Sequence, residues 1–172
     1  MATLHHNISG ELTQELLAAG DSVRVEKISI TNTQKVSKCK VDLYIEKQLT
    51  GKFYLLKAVE IPIGATLIYD DTTFSTATGE YGLYIKLTDG DTFTLTGSID
   101  VTGTNVNAPG TNTLYTSELS EGDEIVVSGE TRTISTITGN TTATVSVAWG
   151  SDLANDTTPD CNPTALVDVI IN

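Results

Sequence analysis

Positive charge is almost missing from the chain after Thr92. Only Arg132 follows, and the other nine basic residues lie between Arg24 and Lys86. With a net charge of −12 and so few cations, the chain lacks the clustered Lys and Arg that grip a phosphate backbone or an anionic lipid surface. Nucleic acid and membrane are therefore excluded as direct partners. Cysteine is scarce too. Two residues, Cys39 and Cys161, are too few for a disulfide framework, and a bridge between them would need an oxidising compartment. Two histidines, His5 and His6, leave none elsewhere for a catalytic triad. No apolar run approaches the ~18 residues of a membrane helix, and MATLHHNISG lacks a signal-peptide layout, so synthesis in the cytoplasm is expected. No phosphate-binding loop, H-E-x-x-H or C-x-x-C motif is present. A cofactor is not expected.

What is present is strand-forming material. The chain is 39% hydrophobic, enough for a core, and its many Thr, Ser, Asn and Gly residues favour strands and turns. In KVDLYIEKQL, Val41, Leu43 and Ile45 alternate with Asp42, Tyr44 and Glu46, the period of a half-buried strand. Thr50-Gly51-Lys52 reads as a hairpin turn before FYLLKAVEI, and strands follow at ATLIYDD and YGLYIKL. In VRVEKISIT the apolar phase shifts near Lys27, the mark of a bulge or a change of face. Asn32-Thr33-Gln34-Lys35 reads as a turn. GELTQELLAAGD holds good helix formers, yet Leu12, Gln14, Leu16 and Ala18 also suit a strand, and its surroundings favour the strand. Short strands with turn signals every ~8–12 residues point to an antiparallel sandwich.

After Leu87 the composition changes. Up to Thr92 the chain has twelve acidic against nine basic residues; beyond it the balance is ten against one. GDEIVVSGETRTISTITGNTTATVSVAW reads as a three-stranded meander, with Ile125 and Val127, Ile134 and Ile137, and Val145 and Val147 marking its strands. It could close into a barrel with TFTLTGSIDV. SDLANDTTPDCNP, with Pro159 and Pro163, then reads as irregular. TALVDVIIN ends the chain as a strand, with Ala165, Val167, Val169 and Ile171 on one face. Its apolar density matches the first part, so it is expected to pair there, beside YGLYIKL. The expected fold is an all-β antiparallel sandwich, jelly-roll-like, built from 1–92 plus 162–172, with an inserted small β-barrel over 93–161. Two consecutive domains are the alternative.

Candidate sites are few. Asp152, Asp156 and Asp160 share a loop in this reading and could offer carboxylates to a cation; Asp89, Asp91 and Asp100 form a weaker set around a DG turn. Adjacent His5 and His6 would point to opposite faces of a strand, which favours a solvated N-terminal arm over a metal site. Cys39 lies between Lys38 and Lys40, charges that would favour a thiolate, but a buried strand cysteine is the simpler reading. Trp149 and Tyr115, with Phe93 at the edge, are the aromatics available to a glycan-binding insertion, and Trp149 equally suits a core.

Two stretches carry a resemblance. KISITNTQKVSKCKVDLYIEKQLTGKFYLLKAVEIPIGATLIYDD, with VDVIIN as a closing strand, resembles small tailed-bacteriophage virion proteins, marine and cyanobacterial phages included. GTNTLYTSELSEGDEIVVSGETRTISTITGNTTATVSV is similar to a short β-barrel module of phage tail, fibre and baseplate proteins. The resemblance implies a non-enzymatic virion structural protein that works by assembly, with capsid decoration as the leading position. Its partners would be the major capsid protein or other virion proteins, and further copies of itself. A neck, tail or baseplate component, or a host-glycan-binding module of the tail, is the alternative. Lys35, Lys38, Lys40 and Lys52 would be the docking residues toward an acidic neighbour, and Trp149 a contact of the insertion.

Overall fold

The computed structural model describes residues 3–47, 51–71, 73–109 and 113–172. The chain is almost wholly β. In order, the strands are β1 (Leu4–Ser9), β2 (Thr13–Leu17), β3 (Arg24–Val25), β4 (Ile28–Asn32), β5 (Cys39–Lys47), β6 (Gly51–Ile61), β7 (Thr66–Tyr69), β8 (Phe74–Ser75) and β9 (Gly82–Thr88). There follow β10 (Phe93–Thr94), β11 (Ile99–Thr102), β12 (Asn105–Asn107), the single helical turn α1 (Tyr115–Glu118), β13 (Glu124–Val127), β14 (Glu130–Gly139) and β15 (Thr142–Val145). Last come β16 (Leu153–Asp156), β17 (Asp160–Asn162) and β18 (Leu166–Ile171). The chain divides into two compact units, Met1–Asp89 with Ala165–Asn172, and Gly90–Thr164.

The first unit has two four-stranded antiparallel sheets, ordered β1-β18-β4-β7 and β2-β9-β5-β6, and a short ribbon β3-β8. The pairs β1–β18, β2–β9, β4–β7 and β5–β6 are those of one long hairpin with its tip between β5 and β6. Rolled up, with successive pairs placed in alternate sheets, that hairpin is a jelly roll. The period-two patterns fill the space between the sheets. Ile8, Ile28, Ile30, Val167, Val169 and Ile171 from one sheet meet Leu16, Val41, Leu43, Leu83, Ile85 and Leu87 from the other in one core. Burying each such side chain is worth about 1.5–3 kcal/mol, which offsets the cost of ordering strands with few local contacts.

Local irregularities have local causes. Leu16 and Leu17 are both buried because the β2–β9 register slips between Glu15 and Leu17. The phase shift near Lys27 is a break between strands: Val25 pairs with Phe74 in the short ribbon, while the N–H groups of Glu26 and Lys27 donate to the Asn172 carbonyl at 2.7 and 3.0 Å. The turn after β4 is organised by Asn32, which is fully buried. Its amide donates to the carbonyls of Ser37 and Ile61, both at 3.0 Å, and its Oδ1 accepts the Gln34 N–H at 3.0 Å. Thr50, in the expected turn before β6, lies outside the described residues.

The final strand lies between β1 and β4. The expected neighbour YGLYIKL is instead β9, in the other sheet. β9 and β18 share the same core, so their apolar patterns alone do not tell a partner in the sheet from one across the core. The two histidines belong to β1, whose six residues all pair with β18, and so are not a loose arm.

The second unit holds eight strands in the order β10-β17-β13-β14-β15-β12-β11-β16. The ten-residue β14 links its halves: Glu130–Thr133 pair with β13, and Ile134 onward with β15. Ile99, Val106, Ile125, Val127, Ile134, Ala143, Val145 and Cys161 share a single core, so the sheet wraps around it. It does not close into the expected barrel, because β10 and β16 end the sheet unpaired with each other among the described residues. Asn162 belongs here, opposite Glu124, and not with the first unit as expected. Val147 lies past the end of β15 and is 62% exposed; Ala143 and Val145 are the inward residues of that strand.

Candidate binding face

The outward face of the sheet β2-β9-β5-β6 follows from the alternation in β5. With Val41 and Leu43 turned to the core, Asp42, Tyr44 and Glu46 project the other way. Register then assembles rows across the strands. Glu15, Tyr84, Tyr44 and Tyr54 align in one row; Gly82, Glu46 and Lys52 form the next. Tyr84 and Tyr44 lie nearly parallel, with centroids 5.7 Å apart and planes at 14°, and Tyr54 tilts against Tyr44 at 5.5 Å. The Tyr84 hydroxyl donates to Glu15 Oε1 at 2.7 Å. That bond first, and burial after it, push the phenol up to about 12.

Tyr44 points away from the core yet is only 1% exposed. Lys52 covers it: its Nζ sits 4.3 Å from the ring centroid and donates to the hydroxyl at 3.0 Å. That hydrogen bond holds the Lys52 ammonium above the ordinary lysine range. Lys57 is placed likewise over Tyr54, at 3.9 Å, with its ammonium on Asp42 at 3.2 Å. Beside Lys52, a groove of about 490 Å³ opens among Thr13, Glu15, Tyr44, Glu46, Gly82 and Tyr84. No single motif announced this face. The signal available was the outward phase of Tyr44 and Tyr84 in two strands of similar pattern.

The expected docking lysines divide between the two ends of that face. Lys38 and Lys40 both approach the Glu60 carboxylate, at 3.0 and 3.7 Å, beside the start of β5. Lys52 lies at the other end, opposite Glu46, roughly 20 Å away at ~3.3 Å per residue. Lys35 is exposed on the turn after β4. The four do not form one cluster.

In the second unit, the three aspartates expected to share an irregular loop lie in or beside two strands. Asp152 accepts the Gly103 N–H at 3.3 Å, and Asp160 the Thr94 hydroxyl at 2.7 Å. Asp156 accepts from the N–H and hydroxyl of both Ser128 and Thr158. Burial opposes ionisation of Asp156, and these four bonds outweigh it, holding the carboxyl below its ordinary 3.8. Asp100 likewise accepts the Asn155 N–H at 2.6 Å. Each carboxylate is engaged with a different part of the chain. Among the described residues no three His, Cys, Asp or Glu side chains are grouped to hold a metal ion.

Trp149 belongs to the core of the second unit and is 7% exposed. The Arg132 guanidinium lies 5.5 Å from its ring centroid, fixed by bonds to the Ala148 and Thr131 carbonyls and by an ion pair with Glu130. Trp149 therefore offers no open face, and Tyr115 is wholly buried. Both cysteines are free and buried. Burial pushes the Cys39 thiol up to about 11 and the Cys161 thiol higher still, away from a reactive thiolate.

Compared with models of protein families, with curated proteins and with solved structures, the chain matches none.

Proposed function

We propose that this protein is a non-enzymatic structural component of a tailed-phage virion, acting by protein–protein assembly, with capsid decoration as its position. The observation that carries the reading is one edge of the jelly roll, β6, which pairs on one side only among the described residues. β6 runs eleven residues at the end of its sheet, with Phe53 and Tyr54 52% and 44% exposed. Ile63 in the turn after it and Ile68 on β7 are exposed as well. A long edge strand with apolar side chains is a template for pairing with another chain. The register of β6 against β5 shifts at Leu55 and again near Ala58, whose φ is positive, which leaves Gly51–Tyr54 as the regular stretch of that edge. Jelly rolls recur in viral capsid and lectin domains, a likeness of fold that supports the reading by analogy.

Quantitative mass spectrometry of purified virions tests it. A copy number that tracks the shell subunits is expected of a decoration layer. A much lower count, following the symmetry of neck or baseplate, would move the protein there. Absence from the particle would overturn the proposal.

A further inference from the structure

We propose that the groove over Tyr84 and Tyr44 is a binding site for a neutral pyranoside, a site that stands whether or not the chain is a virion component. The Tyr84 ring reaches back along its strand to Gly82: a Cβ there would lie 2.9 Å from Cε2 and 3.1 Å from the hydroxyl. The ring therefore lines the groove over the bare backbone of Gly82. Tyr44 stacks beside it, nearly parallel, and is covered by Lys52. The accessible aromatic surface is thus about one ring, with polar groups around it.

Those groups select the ligand class. Glu46 lines the groove, is half-buried and has no hydrogen-bond partner among the described residues. Glu15 keeps one oxygen on the Tyr84 hydroxyl and has acceptor capacity left. Lys52 and Thr13 supply donors on the rim. An aromatic ring beside carboxylate acceptors suits a sugar ring, whose C–H face stacks while its hydroxyls donate outward. Two carboxylates against one ammonium, itself engaged with Tyr44, disfavour an anionic sugar. At about 490 Å³ the groove has room for a mono- or disaccharide.

Saturation-transfer NMR on the full chain tests the site. The probes are the methyl glycosides of glucose and galactose, N-acetylglucosamine, the disaccharides cellobiose, lactose and chitobiose, and glucuronate as the anionic control. Transfer to the ring protons of at least one neutral probe is expected, and weaker transfer to glucuronate. Stronger transfer to a disaccharide than to its monosaccharide would mark recognition of a glycan chain; equal transfer would mark a single free sugar. Glu46→Gln should weaken the dissociation constant roughly tenfold or more, the effect of losing a hydrogen bond to a charged acceptor. Glu60→Gln, at the far end of the same sheet, should leave it unchanged. Transfer to none of the neutral probes, or transfer indifferent to Glu46→Gln, overturns the assignment.

Discussion

The ring of Tyr84 occupies the space that a Cβ at Gly82 would take, and the Leu17 carbonyl lies only 3.1 Å from the same point. The glycine is there for close approach, since its φ is not in the left-handed region. Gly82→Ala must therefore move both an aromatic ring and the backbone of β2. A loss of about 1–3 kcal/mol is expected, the range for overpacking. Urea denaturation measures it. A neutral or stabilising result would show that the Tyr84 ring moves aside freely, and the aromatic lining of the groove would not be fixed.

How much of this could be read from the sequence depends on how far the partners lie along the chain. The faces of β5 followed from alternation alone, because Val41 and Leu43 answer to one buried layer. The apolar phase of VDVIIN likewise gave Val167, Val169 and Ile171 as inward. The groove was not legible, because it depends on the registers Glu15↔Tyr84 and Tyr44↔Tyr84, and no local pattern encodes pairing across so many residues. SDLANDTTPDCNP misled in the opposite sense. Its composition is that of a loop, yet β16 and β17 form there. The Asp100 carboxylate holds the Asn155 N–H, Asp156 holds Ser128 and Thr158, and β11 and β13 supply the ladders. Tertiary partners outweigh propensity in strands of three or four residues.

Trp149 gives a second prediction. It is the one tryptophan of the chain and sits in the core of the second unit, beside Val101 and Val127 around a small cavity. Trp149→Ala should cost ~3–5 kcal/mol of that unit's stability, through lost burial and the cavity left behind. Hydrogen exchange read amide by amide is the suitable measurement, because two units need not unfold as one. Protection should fall across β13, β14 and β15. Unchanged protection there would mean that the indole packs loosely and faces solvent.

Stability should decline on the alkaline side through Cys39. Burial, and then the Asp89 carboxylate, push the thiol from 9.0 in the unfolded chain up to about 11 in the fold. Below pH 9 both states keep the proton and the contribution is full. Above pH 9 the unfolded chain ionises first, so stability falls until the folded thiol titrates near pH 11. Tyr84, raised to about 12, adds to the decline with the same sign at higher pH. Cys39→Ala isolates the thiol: the gap between wild type and variant should narrow from pH 9 upward. A gap constant with pH would show that the thiol is solvated in the fold.

The last prediction concerns the junction at which the jelly roll is interrupted. The first unit leaves at Asp89 and resumes at Ala165, and the Asp89 carboxylate accepts the Ala165 N–H at 2.6 Å. The Asp89 N–H in turn donates to Glu11 at 3.1 Å, and the Ala165 carbonyl accepts the Gly10 N–H at 2.8 Å. The two ends of the interruption are thus held together by groups of the first unit. Its core residues from Ile8 to Ile171 come from that unit alone. Replacing Gly90–Thr164 by a short Gly/Ser linker should leave a cooperatively folded jelly roll, since closing so short a loop costs little entropy. Far-UV circular dichroism and a sharp thermal transition would report it. A product without a transition would mean that the first unit depends on the second for its fold. Asp89→Ala in the shortened chain should then lower its melting temperature, by removing the acceptor that ties the junction.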